Sequence, residues 1–301
     1  MSKVPFQKPS LPIPNQVSTI KSRGMLIADD AKAERLLASI GYYRMSAYWY
    51  PFRVRKNGRV LSEFEEGTSL EQATFLYEFD RSLRILIIDA IERVEIAIRA
   101  RVVNELTQKY NPFFHENPSN FHPGFNHRKW FSGVTDEVER SSDEFISHYK
   151  EKYDGFPVVP LWFTTEVMSL GKLSFMYQGL QNDDKKLISQ HFNIHHKRLA
   201  NWLHVITYVR NVCAHHSRLW NRELSIRADQ TRDRNWLPPL TPRNDRIFYV
   251  LLMLRHLMKV SPNGEDWKKD MEALIDKISH DQKAMQMMGL TTNWKVHPIW
   301  K

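Results

Sequence analysis

Apolar residues recur at three- and four-residue steps between positions 69 and 109, the clearest periodic stretch of the chain. Leu76, Phe79, Leu83, Leu86, Ala90, Val94, Ala97 and Val102 share one side, and Asp80, Arg81, Arg84, Glu92, Arg93, Glu95, Arg99 and Arg101 fill the others. Ser69 can serve as N-cap, and Gln72 three places on completes a capping box. The pattern predicts one long helix that ends before Asn111-Pro112. Upstream, Asp29-Asp30 can cap a short helix carrying Ala33, Leu36, Leu37 and Ile40, which Gly41 ends. Residues 53–68 predict a loop or hairpin around Asn57-Gly58. The first sixteen residues, with Pro5, Pro9, Pro12 and Pro14, predict extended chain.

Downstream, residues 111–135 predict irregular structure and 136–152 a charged helix, with a turn at Pro157 and Pro160. A helix over 161–180, interrupted near Gly171, precedes a short helix over 183–192. Another runs from about His196 to Trp220. A last pair covers about 243–260 and 265–285, separated by Ser261-Pro262-Asn263-Gly264, with Met285-Gln286-Met287-Met288 as a packed helix end. The expected fold is all-α.

Composition supports that expectation. The chain has 301 residues, 42% hydrophobic, and its eleven glycines are few for an all-β or Rossmann-type protein. The net charge of +9 suits a polyanionic partner, most simply nucleic acid. Cys213 is the single cysteine, which excludes an intrachain disulfide and suits a cytoplasmic setting. The N-terminal residues lack the apolar core of a secretory signal, and no run reaches the ~18 apolar residues of a membrane span. A soluble protein with no membrane partner is expected. The aromatic stretch 42–52 could stack bases, but packing of a helix by its aromatic face is the better reading.

Candidate chemistry gathers in the helix at 196–220. Projected at about 100° per residue, His204, Tyr208, Asn211, His215, Arg218 and Arg222 share one arc. Ile206, Val209, Val212, Cys213 and Trp220 hold the opposite one, and His216 is expected on that apolar side. Arg210 flanks the polar arc, which lacks Lys and carboxylates until Glu223. Cleavage of RNA by its own 2′-hydroxyl needs a base, an acid and a donor for the charged phosphorane. His215 can be acid or base, Arg210 can bind phosphate oxygens, and Asn211 can position either. The nucleophile belongs to the substrate, so the reaction needs no metal or cofactor. One motif offers one clear proton-transfer group, and a two-fold homodimer would supply a second.

Glu92, Glu95 and Arg99 could orient Arg210 or His215, or simply pair along their own helix. His191, His195, His196, His204, His215 and His216 lack ligand spacing, so no metal site is expected. Arg227, with Arg232, Arg234, Arg243 and Arg246, forms a basic region that can hold RNA backbone or lie in a solvated loop.

The run Arg210 to His215 resembles the Arg-x4-6-His motif of HEPN domains. The chain as a whole resembles the Abi-like (abortive infection) family of bacterial proteins over roughly residues 20–225. Four blocks carry the likeness: GYYRMSAYWYPF at 41–52, LYEFDRSLRILIIDAIERVEIAIRAR at 76–101, TTEVMSLGKLSFMYQGL at 164–180 and LANWLHVITYVRNVCAHHSRLWNR at 199–222. The resemblance implies a HEPN-like helical bundle at 69–225 with a loop-rich insertion at 110–160. An N-terminal helical extension at 1–68 and a C-terminal helical pair at 226–301 would flank it. It further implies a metal-independent endoribonuclease in phage defence or toxin–antitoxin-like growth arrest. Arg210, His215 and Asn211 would be catalytic, with Glu92, Glu95, Arg99, His204 and Tyr208 supporting them and Arg218, Arg222 and Arg227 binding RNA. Implied partners are substrate RNA, a cognate noncoding RNA, a second copy, and an antitoxin or inhibitor. The alternative is a non-catalytic RNA-binding protein, and a nucleotide-binding or -modifying role is a third reading.

Overall fold

Ser69 and Gln72 exchange two hydrogen bonds, backbone N to Oε1 at 2.9 Å and backbone N to Oγ at 3.2 Å. That reciprocal cap starts α4, which runs from Leu70 to Lys109. The computed structural model describes residue 5 and residues 9–241, 243–261 and 264–301. The chain forms two compact units that divide inside α4, at Ser82–Leu83. Thirteen α-helices and one two-stranded sheet make up the described residues, an all-α protein. Among them no helix is long and apolar enough to cross a membrane.

The first unit holds α1 (Ile13–Ser22), α2 (Asp30–Ile40), α3 (Tyr42–Trp49), the hairpin and the start of α4. The Asp29 side chain accepts from the Lys32 amide to begin α2, and Gly41 ends it at φ 88°. Strands β1 (Arg53–Lys56) and β2 (Arg59–Phe64) pair antiparallel around Asn57 and Gly58, both at positive φ. The aromatic run folds inward: Tyr48 and Trp49 are buried, and the Tyr48 hydroxyl donates to Asp80 at 2.7 Å. Tyr43 stays exposed. Of the first sixteen residues, expected to be extended, 1–4 and 6–8 lie outside the described residues, and α1 replaces extended chain from Ile13 on. Pro14 fits its first turn, where no helical N–H is required.

The second unit contains the rest of α4 and all later helices. On α4 the buried stripe follows Leu83, Ile87, Ala90, Val94, Ile98, Val102 and Leu106, so Ile87 and Ile98 sink where Leu86 and Ala97 were expected. The loop-rich 110–160 stretch instead carries two helices, α5 (His127–Arg140) and α6 (Glu144–Lys152). Asn126 caps α5, and Trp130, Val134 and Val138 bury at four-residue steps. Ser141 and Asp143 hydrogen-bond each other locally and break the helix expected over 136–152. The 161–180 helix divides into α7 (Leu161–Val167) and α8 (Leu170–Gly179), a little before Gly171. Helix α9 (Asn182–Ser189) precedes α10 (His196–Ala214), and α11 (Ile247–Met258), α12 (Gly264–Asp276) and α13 (Gln282–Met288) follow. The expected terminal pair is thus three helices, because Asp281 caps a new one. Of the turn between α11 and α12, Pro262 and Asn263 lie outside the described residues.

Buried polar groups tie this unit together. Asp184, fully buried, takes Lys109 Nζ at 2.5 Å and the Tyr110 hydroxyl at 3.0 Å, which fixes the end of α4 to α9. Trp267 donates to the Leu86 carbonyl at 2.8 Å, which joins α12 to α4. Arg255 on α11 holds the carbonyls of Trp300 and Lys301 and the Glu265 carboxylate.

His115 is buried beside Thr164 Oγ1 at 3.2 Å, and its Nδ1 finds no partner among the described residues. Burial first, then the nearby His127, pushes its pKa down to about 4. Burial lowers His256 and His297 as well. A histidine depressed below its unfolded value of about 6.5 contributes its full stability above that pH and loses it as pH falls toward the folded value. For His115 alone the loss at pH 4 is roughly 3 kcal/mol. Urea denaturation of wild type should therefore weaken steeply between pH 6.5 and 4. His115→Gln should flatten part of that limb, and parallel curves for the two proteins would refute the assignment.

Candidate functional site

Helix α10 is positioned by its apolar side. Leu199, Trp202, Leu203, Val205, Ile206, Val209, Val212 and Cys213 are buried, and α8, α9 and α11 pack around them. Gly171 on α8 lies against Thr207, and the Trp202 ring sits 4.8 Å from Trp236 and 5.5 Å from His256. Asn201 accepts from the Asp229 amide at 3.1 Å, and Arg198 pairs with Thr231 and Asp233. The segment after the motif is thereby laid back along α10. Lys197 is exposed in the first turn, and toward the C-terminal end His204, Arg210, Asn211, Ala214 and His215 are exposed, with Tyr208 half-buried. Arg210 Nη1 approaches Asn211 Oδ1 at 3.5 Å. The last turn of α10 thus presents a guanidinium, an amide and an imidazole together.

The helix ends at Ala214, six residues earlier than expected. His215 is the C-cap, with its amide bonded to the Asn211 carbonyl at 3.0 Å. His216 takes φ 54°, and its amide bonds Cys213 O at 2.9 Å while Ser217 N bonds Val212 O at 3.0 Å. These two bonds form a complete Schellman cap with histidine in the position glycine usually occupies. A left-handed conformation costs a side-chain-bearing residue roughly 1–2 kcal/mol. The turn also corrects the expected place of His216, which is exposed and not on the apolar side. The stripe beyond His215 is not helical either. Leu219 and Trp220 are both buried beyond the turn. Arg218 and Arg222, both half-buried, follow that turn.

A helix C-terminus carries partial negative charge and is the unfavourable end for an anion. Phosphate at this face has to be attracted by side chains, and the nearest arginines in sequence are Arg210 on the last turn and Arg218 and Arg222 just beyond it.

Arg227 is already engaged. Its guanidinium meets Glu223 Oε1 at 3.1 Å, Asp245 Oδ2 at 3.8 Å and the Leu224 carbonyl at 3.2 Å. Arg243 binds Asp245 in bidentate fashion at 2.7 and 2.5 Å, and those bonds hold the Asp245 carboxyl below the usual carboxylate range. Arg246 donates to the Asn221 carbonyl at 2.8 Å. This network anchors residues 221–228 to the start of α11. Its centre, Asp245, carried no periodic or motif signal; Glu223 was visible only as the first acid after the stripe.

Glu95 and Arg99 pair with each other on α4. Arg99 also donates to the carbonyls of Thr165, Glu166 and Met168, a cation on the C-terminal end of α7. Glu92 is exposed on the same helix. Among the described residues no hydrogen bond or ion pair joins these three to Arg210 or His215. His191 pairs with Glu105 at 2.7 Å, and His195 caps α10 by accepting from Lys197 N at 3.3 Å.

A family model described as Abi-like protein matches residues 35–221. No curated protein and no solved structure matches the chain.

If Asp245 anchors the segment below the motif, Asp245→Asn should lower unfolding stability by about 1–3 kcal/mol, read from the urea midpoint. A change under about 0.5 kcal/mol would mean the arginines are merely solvated neighbours.

Proposed function

The chain belongs to the Abi-like protein family, and from that premise we propose that it is a metal-independent endoribonuclease of a bacterial phage-defence or growth-arrest system. The observation that carries the reading is the last turn of α10, where Arg210, Asn211 and His215 are exposed on one fixed helix end. Arg210 can bind non-bridging phosphate oxygens in two-point fashion and stabilise the phosphorane charge. His215 moves one proton, and Asn211 positions the phosphate or the imidazole. The attacking 2′-hydroxyl comes from the RNA, so the products are a 2′,3′-cyclic phosphate and a 5′-hydroxyl.

Arg218 and Arg222 extend the cationic face along the strand, and the chain's +9 charge supports RNA as its partner, in the cytoplasm where that RNA resides. The face is open to solvent, which suits a homodimer that grips one RNA between two copies, and a noncoding RNA or protein inhibitor could restrain it by covering the same surface. The rival reading is a protein that only holds RNA there.

Total RNA incubated with the protein in EDTA separates the readings. Wild type should cleave, His215→Ala should lose at least about 100-fold in rate while still binding RNA, and Arg210→Ala should lose both rate and affinity. Cleavage that stops in EDTA, or that persists in His215→Ala, refutes the mechanism. Tight binding without cleavage favours the rival.

A further inference from the structure

A cavity of about 310 Å³ opens in the second unit between residues 229–245 and the first turn of α11. We infer that it is a specificity pocket for one guanine base of the RNA that the motif acts on. The inference rests on the ribonuclease reading and deepens it by naming the base that the chain selects.

Two buried aromatic residues start the argument. Trp236 and Tyr249 line the cavity, 5% and 2% exposed, with ring centroids 4.9 Å apart. A buried indole N–H or phenol O–H usually has a hydrogen-bond partner. Neither of these has one among the described residues. Burial pushes the Tyr249 phenol up to about 12, so at neutral pH its hydroxyl keeps the proton it would donate.

Acceptors on the same cavity are unengaged too. In the surrounding network Glu223, Asp233 and Asp245 each pair with an arginine. The Asp229 carboxylate, on the cavity wall, makes no hydrogen bond or ion pair among the described residues, and the Gln230 amide beside it makes none either. Asn244 Nδ2 donates to the Ala228 carbonyl at 2.8 Å and leaves Oδ1 over. Pro238 adds apolar wall. A small cavity with apolar sides and a few convergent polar groups is the usual form of a ligand site.

This donor and acceptor set discriminates among bases. Proteins read single-stranded RNA on the hydrogen-bonding edges of splayed bases. Of the four bases only guanine places two N–H donors side by side, N1–H and the N2 amine, where one carboxylate can accept both. Its O6 and N7 are acceptors, as the indole N–H and the phenol O–H require. Adenine, cytosine and uracil would each set a lone pair against the carboxylate.

The pocket also lies along the motif's own face. The Asp229 amide donates to Asn201 Oδ1 at 3.1 Å. Asn201, Tyr208 and His215 follow one another at seven-residue steps, which drift only about 20° each around a helix. From Asn201 to His215 the helix rises about 21 Å, a span of a few nucleotides. Arg232 and Arg234 are exposed and make no side-chain hydrogen bond or ion pair among the described residues, so they can hold the phosphates of the captured nucleotide.

The test titrates guanosine 5′-monophosphate into the full chain by calorimetry, beside AMP, CMP and UMP. The guanine nucleotide should bind, and the other three at least about 10-fold more weakly. Asp229→Asn should lose that preference. Tyr249→Phe should weaken binding about threefold or more, with Tm within about 2 °C of wild type. An oligoadenylate carrying one guanosine should bind at least about 10-fold more tightly than the mononucleotide, because its phosphates add contacts. Cut sites mapped in total RNA should carry guanosine at one fixed offset, and Asp229→Asn should scatter it. Equal binding of the four nucleotides, or binding of none, overturns the guanine pocket. A mononucleotide that binds as tightly as the strand makes the ligand a free nucleotide and overturns the assignment to RNA. Cleavage with no fixed guanosine removes the specificity role and leaves the ribonuclease reading intact. Guanine-selective binding of the strand without cleavage removes the ribonuclease reading and leaves the pocket as a guanine site on bound RNA.

Discussion

Burial of the apolar side of α10 is the constraint on which the candidate site depends. Leu199, Trp202, Leu203, Val205, Ile206, Val209, Val212 and Cys213 leave water together. Each large side chain of this kind contributes roughly 1.5–3 kcal/mol when fully buried. No competing rotation of the helix could recover that much, because the other side carries Arg210, Asn211, His204 and His215. The polar face is therefore not held by its own contacts. It is what remains outside once α8, α9 and α11 have closed on the helix. Reactive groups placed this way can stay exposed to a polyanion and still share a fixed backbone.

The same packing dictates how the helix ends. Val212 and Cys213 are the last buried residues of α10, and Leu219 and Trp220 bury next. Between them the chain reverses through the left-handed His216. The turn is then locked from below, where Asp245, Arg243 and Arg246 grip residues 221–228. Arg99 acts at one remove. It clamps the end of α7, which fixes the start of α8 and so the surface against which Thr207 packs. Its connection to the motif is mechanical, through packed helices, where the sequence left direct orientation open.

Much of this was legible in the residues. The capping box at Ser69 and Gln72, the Asp29 cap and the Asn57-Gly58 turn are local rules, and each formed as the local chemistry requires. Helical spacing put Asn211 and His215 on one arc with Arg210 on its flank, and all three are exposed. The end of α10 was not legible, because the usual glycine signal is absent and histidine fills its place. Extrapolating the helix then carried Arg218, Trp220 and Arg222 onto arcs they do not occupy and sent His216 inward. The helices at 127–152 were hidden for a different reason. Prolines and histidines nearby masked the Trp130, Val134, Val138 spacing that tertiary burial uses.

Electrostatics explain why a strongly basic chain concentrates so few free cations at the motif. Arg227 and Arg243 face Glu223 and Asp245, Arg99 faces carbonyls and Glu95, and Arg198 faces Asp233. These guanidinium groups are committed to holding the fold. Arg210 differs, since its only hydrogen bond among the described residues is the long contact to Asn211 at 3.5 Å. A guanidinium that gives up little on meeting a phosphate retains nearly all of its attraction for it. Set on the electronegative end of a helix, it is also the group that must overcome the local field for an anion to approach. The chain therefore has a lightly committed arginine where a phosphate would otherwise be repelled, near the imidazole that would act on it.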